Sequence, residues 1–121
     1  MSGRTSRNKG ARFERKLAHR LQIMGFKAKR CLQFRGDSDG PDVLIELSGS
    51  RRLLIEAKHH KKVRWRGAYE QAAGYPMLKG DLFAVCCKDD RNEEVWILPA
   101  AMMDLFFEML RDNEKCSSDS E

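Results

Sequence analysis

The sequence predicts an α/β fold, a central mixed β-sheet flanked by helices. Three observations carry that expectation. Apolar residues recur at helical spacing near the N-terminus. Two strand-like runs follow with only a tight turn between them. The run 82–87 is almost continuously apolar, as a strand covered on both faces should be. With 121 residues the chain can enclose one hydrophobic core but not two.

The elements follow in order. Phe13, Leu17, Leu21 and Met24 are spaced by four, four and three, so a helix is expected over about 8–24. Ala18 widens its apolar stripe. Asn8 can cap the start, and Gly25 can take the left-handed conformation that ends it. Residues 26–34 read as a strand, with Phe26, Ala28, Arg30, Leu32 and Phe34 on one face. The segment 35–41 holds two glycines and a proline and is a loop. Residues 42–47 and 52–58 are strands joined by the turn 48–50, which makes a hairpin. A basic connector occupies 59–66, and 67–77 is a second helix that ends near Pro76. After the buried strand 82–87 come a polar turn, 88–94, and a short strand, 95–98. Pro99 suits the first turn of a last helix to about residue 111. Residues 1–7, small, polar and basic, are expected to form a flexible arm, and 112–121 a disordered acidic tail. The folded domain is then 8–111.

Composition narrows the function. No apolar run is long enough to cross a membrane, and the basic N-terminus lacks the apolar core of a secretory signal. The four cysteines show no C-x-x-C spacing, so a structural zinc site is not expected, and a reducing, cytoplasmic setting is. The net charge of +5 is unevenly spread. Residues 1–35 hold eleven cations and one acid, Glu14, whereas 81–121 hold four cations and eleven acids. A basic N-terminal third points to a polyanionic partner. A single acid within it either neutralises its neighbours or takes part in chemistry.

The chemistry concentrates in Pro41-Asp42 and, fourteen residues after Asp42, Glu56-Ala57-Lys58. Alternate strand residues share a face, so Glu56 and Lys58 point one way and Ala57 the other. The turn at 48–50 folds Asp42 back beside them. Two carboxylates so placed suit a hard divalent cation such as magnesium, which keeps several waters. A lysine beside them can orient or deprotonate water, and the cation can stabilise charge at phosphorus. Salt-bridged strand ends are the simpler alternative. Against it, Val43-Leu44-Ile45 and Leu53-Leu54-Ile55 set these charges at the margin of a core.

Together, the run from Asn8 to Leu17 (NKGARFERKL), Gly25-Phe26, Pro41-Asp42-Val43 and Ile55-Glu56-Ala57-Lys58 resemble the PD-(D/E)XK nuclease superfamily. Within it the chain is most similar to the archaeal-type Holliday junction resolvases, which also occur in viruses and phages. The resemblance runs over 8–62, and it implies a restriction-endonuclease-like core. It implies that Asp42 and Glu56 bind the metal together with the backbone carbonyl of Ala57, that Glu14 assists through water, and that Lys58 is catalytic. Magnesium is the implied cofactor, with manganese able to substitute. Lys9 and Arg15 match basic positions near the scissile strand, and Gln71 matches an accessory glutamine of related nucleases; with Lys9 and Arg15, the cations Arg12, Arg30 and Arg35 of the basic N-terminal third are expected to contact DNA. The loop 35–41 departs from the family in its acids Asp37 and Asp39.

Further along, Lys61, Lys62, Arg64 and Arg66 surround Trp65, a composition suited to phosphate contact and stacking or simply to a solvated loop. His60 shares the parity of Glu56 and Lys58. The last helix carries more Met, Leu and Phe than one core-facing stripe uses, which suggests a homodimer. The expected function is a metal-dependent, structure-selective DNA endonuclease that resolves four-way junctions by paired nicks. A restriction- or repair-type nuclease on duplex or flap DNA, and a non-catalytic nucleic-acid-binding module, are the alternatives.

Overall fold

The computed structural model describes residues 3–31 and 40–119. Helix α1 spans Gly3–Ile23 and is followed by strands β1 (Lys27–Arg30) and β2 (Val43–Glu46). A short turn at Ser48–Ser50 leads into β3 (Arg52–His60). Helix α2 (Trp65–Ala73), strands β4 (Leu82–Asp89) and β5 (Val95–Ile97) and helix α3 (Ala100–Asp119) complete the described chain. The five strands lie in the order β1-β2-β3-β4-β5. Every neighbouring pair is antiparallel except β3 and β4, which are parallel. A parallel pair needs a long crossover, and α2 lies in it.

The sheet is covered on two faces. Phe13, Leu17, Ala18 and Leu21 of α1 pack on Ala28, Val43, Ile45, Ile55, Ala57 and Cys86. On the other face Ala68, Ala72 and Tyr75 pack on Leu44, Leu54, Phe83, Val85 and Cys87. The near-continuous apolar run of β4 thus feeds both layers, as expected. Alternation places Glu56 on the α2 face and Ala57 on the α1 face. Helix α1 ends as the sequence predicts. Gly25 has φ +102°, its N–H donates to Gln22 O, and the Phe26 N–H donates to Leu21 O, a Schellman motif.

Several boundaries differ from expectation. Helix α1 begins at Gly3, so residues 3–7 are not a separate arm and Asn8 lies inside the helix. Extending a helix that the core already holds adds one hydrogen bond per residue fixed, and no proline stops it. The same reasoning applies at the other end, where α3 continues through 112–119 rather than stopping near 111. Strand β1 covers only Lys27–Arg30; the remainder of the expected 26–34 strand beyond Cys31 lies outside the described residues, as do Arg35, Asp37 and Asp39. Strand β3 continues to His60 because β4 pairs with it to the end, His60 opposite Asp89. Helix α2 starts two residues early and stops at Ala73, since Tyr75 precedes Pro76 and is disfavoured in helical conformation.

Candidate active site

The β2–β3 hairpin builds the centre of the site. Val43 pairs with Ile55, so Asp42 comes level with Glu56. Asp42 N–H donates to Ile55 O at 2.9 Å, and Ala57 N–H donates to Asp42 Oδ2 at 2.9 Å. The second Asp42 oxygen takes no hydrogen bond from the described residues. Burial, and then the charge of Glu56, push the Asp42 carboxyl up to about 7, against the Ala57 N–H, which favours the anion.

Glu56 is 1% exposed, the one charged residue buried in the core among the described residues. Such a group must be paired and hydrogen-bonded. Lys58 Nζ lies 3.0 Å from Glu56 Oε2, and the Tyr75 hydroxyl donates to Oε1. Burial and that hydrogen bond hold the phenol above its ordinary pKa. Sequence reasoning missed Tyr75. The available signal was that a buried glutamate next to an apolar run requires a donor, and a tyrosine at the end of the covering helix carries one.

Glu14 reaches the same place from α1. Its Oε1 accepts from Arg30 Nε at 3.0 Å. Glu14, Arg30, Cys31, Asp42, Lys58 and His60 line a pocket of about 340 Å³, with Arg7 and Gly10 on its α1 side. The hairpin, α1 and, through Tyr75, the segment just after α2 therefore all contribute to one site. Among the described residues no three His, Cys, Asp or Glu side chains are grouped around one point as a closed metal cage. The arrangement instead offers two neighbouring carboxylates, one with an unused oxygen and a pKa raised by burial and then by like charge. Magnesium sites are commonly of this open kind, with waters and substrate phosphate filling the shell. The residues fit a hard divalent cation.

The profile of the archaeal Holliday junction resolvases matches residues 5–75. The chain belongs to that family. Nearly all of helix α1, the β2–β3 hairpin and α2 fall within the matched segment, so this resolvase holds its candidate site inside the family's span. Among solved structures it is similar to the Holliday junction resolvase Hjc of the archaeal hyperthermophile Archaeoglobus fulgidus. The two are 28% identical, with 74% of this chain and 72% of that chain covered and a TM-score of 0.54. No curated protein matches the chain. As a family member it is a junction-resolving nuclease of PD-(D/E)XK type, and the family implies a divalent metal.

The remaining basic positions of this resolvase divide into paired and open ones. Lys9 Nζ lies 2.9 Å from Asp90 Oδ1 and ties α1 to the end of β4. His59 Nε2 lies 3.1 Å from the same oxygen, and its ring packs on Phe13. Burial and the charges of Lys9 and Lys88 lower the His59 pKa. Arg30 is engaged by Glu14. Arg12 and Arg15 are exposed on α1, and Lys61, Lys62 and Arg64 are exposed after β3. Gln71 is exposed on α2, and no hydrogen bond joins it to the carboxylates, so the structure does not gather it into the site. No helix among the described residues is long and apolar enough to cross a membrane.

Proposed function

We propose that this resolvase hydrolyses phosphodiester bonds of four-way DNA junctions at a magnesium site held by Asp42 and Glu56. The backbone carbonyl of Ala57 completes the protein ligands, and Glu14 acts through water. The convergence of Asp42, Glu56 and Lys58 on one hairpin is the observation that carries this reading. Magnesium, or manganese in its place, supplies Lewis-acid stabilisation of the charge that builds on the phosphate oxygens. Lys58 holds Glu56 in place and presents a cation where the scissile phosphate arrives; it orients the attacking water. Tyr75 fixes the other Glu56 oxygen. Arg12, Arg15, Lys61, Lys62 and Arg64 bind flanking phosphates, and their exposure leaves them available to do so.

A four-way junction requires nicks on two strands of like polarity, and one chain carries one such site. We infer a two-fold homodimer that matches protein symmetry to substrate symmetry. Support comes from α3, where Phe107, Met109 and Leu110 are 57%, 47% and 58% exposed. The four cysteines are all unpaired, which suits action in the cytoplasm.

The test is incubation with a four-way junction, a flap and a linear duplex, with and without magnesium. Cutting is expected on the junction and only with metal. Asp42→Asn and Glu56→Gln should each abolish cutting while leaving junction binding largely intact, because each removes a ligand and little of the basic surface. Near wild-type cutting by either variant would overturn the site. Preferential cutting of flap or duplex would instead favour a repair-type nuclease.

A further inference from the structure

A second concavity lies beyond the end of β3. It has a volume of about 630 Å³ and sits on the α2 face of the β4–β5 hairpin, past the start of α2. Its floor is Cys87, Val95 and Ile97; Val63 and Trp65 form a wall, and the turn carrying Arg91 and Asn92 forms the rim. Trp65 is 46% exposed despite lining this cavity. The Arg66 guanidinium lies over the indole, 4.6 Å from the ring centroid, which fixes its plane. An apolar floor, one large aromatic wall and a polar rim form a site for a flat, partly polar ring.

The surroundings favour one kind of ring. Lys61, Lys62, Arg64 and Arg66 are all exposed along the approach. Two acids line the cavity: Asp89 is engaged structurally, its Oδ1 accepting the Val63 N–H at 2.6 Å, and Glu93 is exposed beside Arg91 and Asn92. The cavity is also linked to the candidate active site by shared lining residues. His60 lines both the catalytic pocket and a shallow groove with Lys61 and Lys62. Asp89 and Asn92 line both that groove and the cavity. A nucleic-acid strand lying on these cations would carry its phosphates past Lys61 and Lys62 and a base toward Trp65.

We propose that the Trp65 cavity receives an unstacked nucleobase from the branch point of the DNA, with the indole as its stacking platform. The proposal rests on the junction-nuclease reading and adds a specificity element to it. A base in continuous duplex would have to leave its stack to enter, whereas a base at a branch point has already lost part of its stacking, so the cavity favours branched over linear DNA.

The test uses Asp42→Asn protein, which should not cut, with a junction carrying 2-aminopurine at the branch point. Binding should change 2-aminopurine fluorescence, and the same label inside a linear duplex should not respond. Trp65→Ala should weaken junction binding about ten-fold, as expected for loss of one aromatic stacking partner, and abolish the fluorescence change. Trp65→Phe should keep most of both. The chain has two tryptophans, so Trp96→Phe leaves Trp65 as the sole emitter, and the junction should quench it more than duplex does. An unaltered 2-aminopurine response in Trp65→Ala, or equal quenching by duplex, overturns the proposal. Should Trp65→Ala shift the protein toward monomer while the base response persists, a second copy covers the cavity and the proposal fails. Equal binding of junction and duplex by the Asp42→Asn protein would sink the underlying reading as well; preference for junctions without any 2-aminopurine change would sink the base cavity alone.

Discussion

Asp42 is held where its charge is costly. Burial and the Glu56 carboxylate raise its pKa from 3.8 to about 7. An acid whose folded pKa lies above its unfolded one contributes stability that is fully present below the unfolded pKa and is lost as pH rises through the folded value. Metal-free protein should therefore lose stability between about pH 4 and pH 8 from this group, by roughly 2–4 kcal/mol. Asp42→Asn should flatten that dependence and be the more stable protein at pH 8 while losing activity. Magnesium should restore stability to the wild type above pH 7 and do little for the variant. Thermal melts with chelator or magnesium across this range check all three statements, and a wild-type curve flat with pH would sink them. Tyr75 makes a second prediction at this scale. Tyr75→Phe keeps the packing and removes one hydrogen bond to a buried carboxylate, an interaction worth about 1.5–3 kcal/mol. The magnesium concentration for half-maximal cutting should rise several-fold with little change in junction affinity. If only the melting temperature moves, Tyr75 is a packing residue and nothing more.

Among the elements, α1 joins most parts of the molecule. It covers one face of the sheet, brings Glu14 to the pocket and presents Arg12 and Arg15 outward. Gly10 within it and Gly25 just past its end should respond oppositely to alanine. At Gly25 an added Cβ meets no atom within 4 Å, but φ is +102°. The cost is purely conformational, about 1 kcal/mol. At Gly10 there is also nothing within 4 Å, and the backbone is helical. Gly10→Ala should stabilise by about 0.5–1 kcal/mol. Urea denaturation of the two variants checks the contrast, and a shift of the same sign in both would count against the helix end described here. The crossover is anchored separately: Arg52 Nε donates to Asp81 Oδ1 at 3.0 Å, and Leu78 N–H donates to Asp81 Oδ2 at 2.8 Å. These bonds return the chain to β4 after α2 and so hold Tyr75 over Glu56.

For the whole molecule, the question is what covers α3. Met102 joins the α2-face cluster, and its sulfur accepts the Phe83 N–H at 3.2 Å. Farther along, Phe107 and Leu110 are more than half exposed, an unusual density of large apolar surface for one helix. A dimer that buries this face should sediment at about twice the 14.0 kDa chain mass at micromolar concentration. Phe107→Glu should shift it toward monomer and, with it, uncouple the two nicks. A wild-type chain that stays monomeric both free and on a junction would remove the case for paired cutting.

Much of this was legible in the residues alone, because the relevant information is local. Strand alternation put Glu56 and Lys58 on one face, and the turn at 48–50 made Asp42 their neighbour; period and register are short-range properties of the chain. The apolar run of β4 and the glycine that ends α1 were readable for the same reason. Helix ends were less so, since propagation from a packed core carries α1 back to Gly3 and α3 on to Asp119 against a merely polar composition. Least legible were contacts between residues distant in sequence. Tyr75 on Glu56, Arg30 on Glu14 and Asp90 on Lys9 all depend on how helices lie across the sheet. A buried carboxylate demands a partner, but packing chooses which one, and no spacing rule encodes that choice.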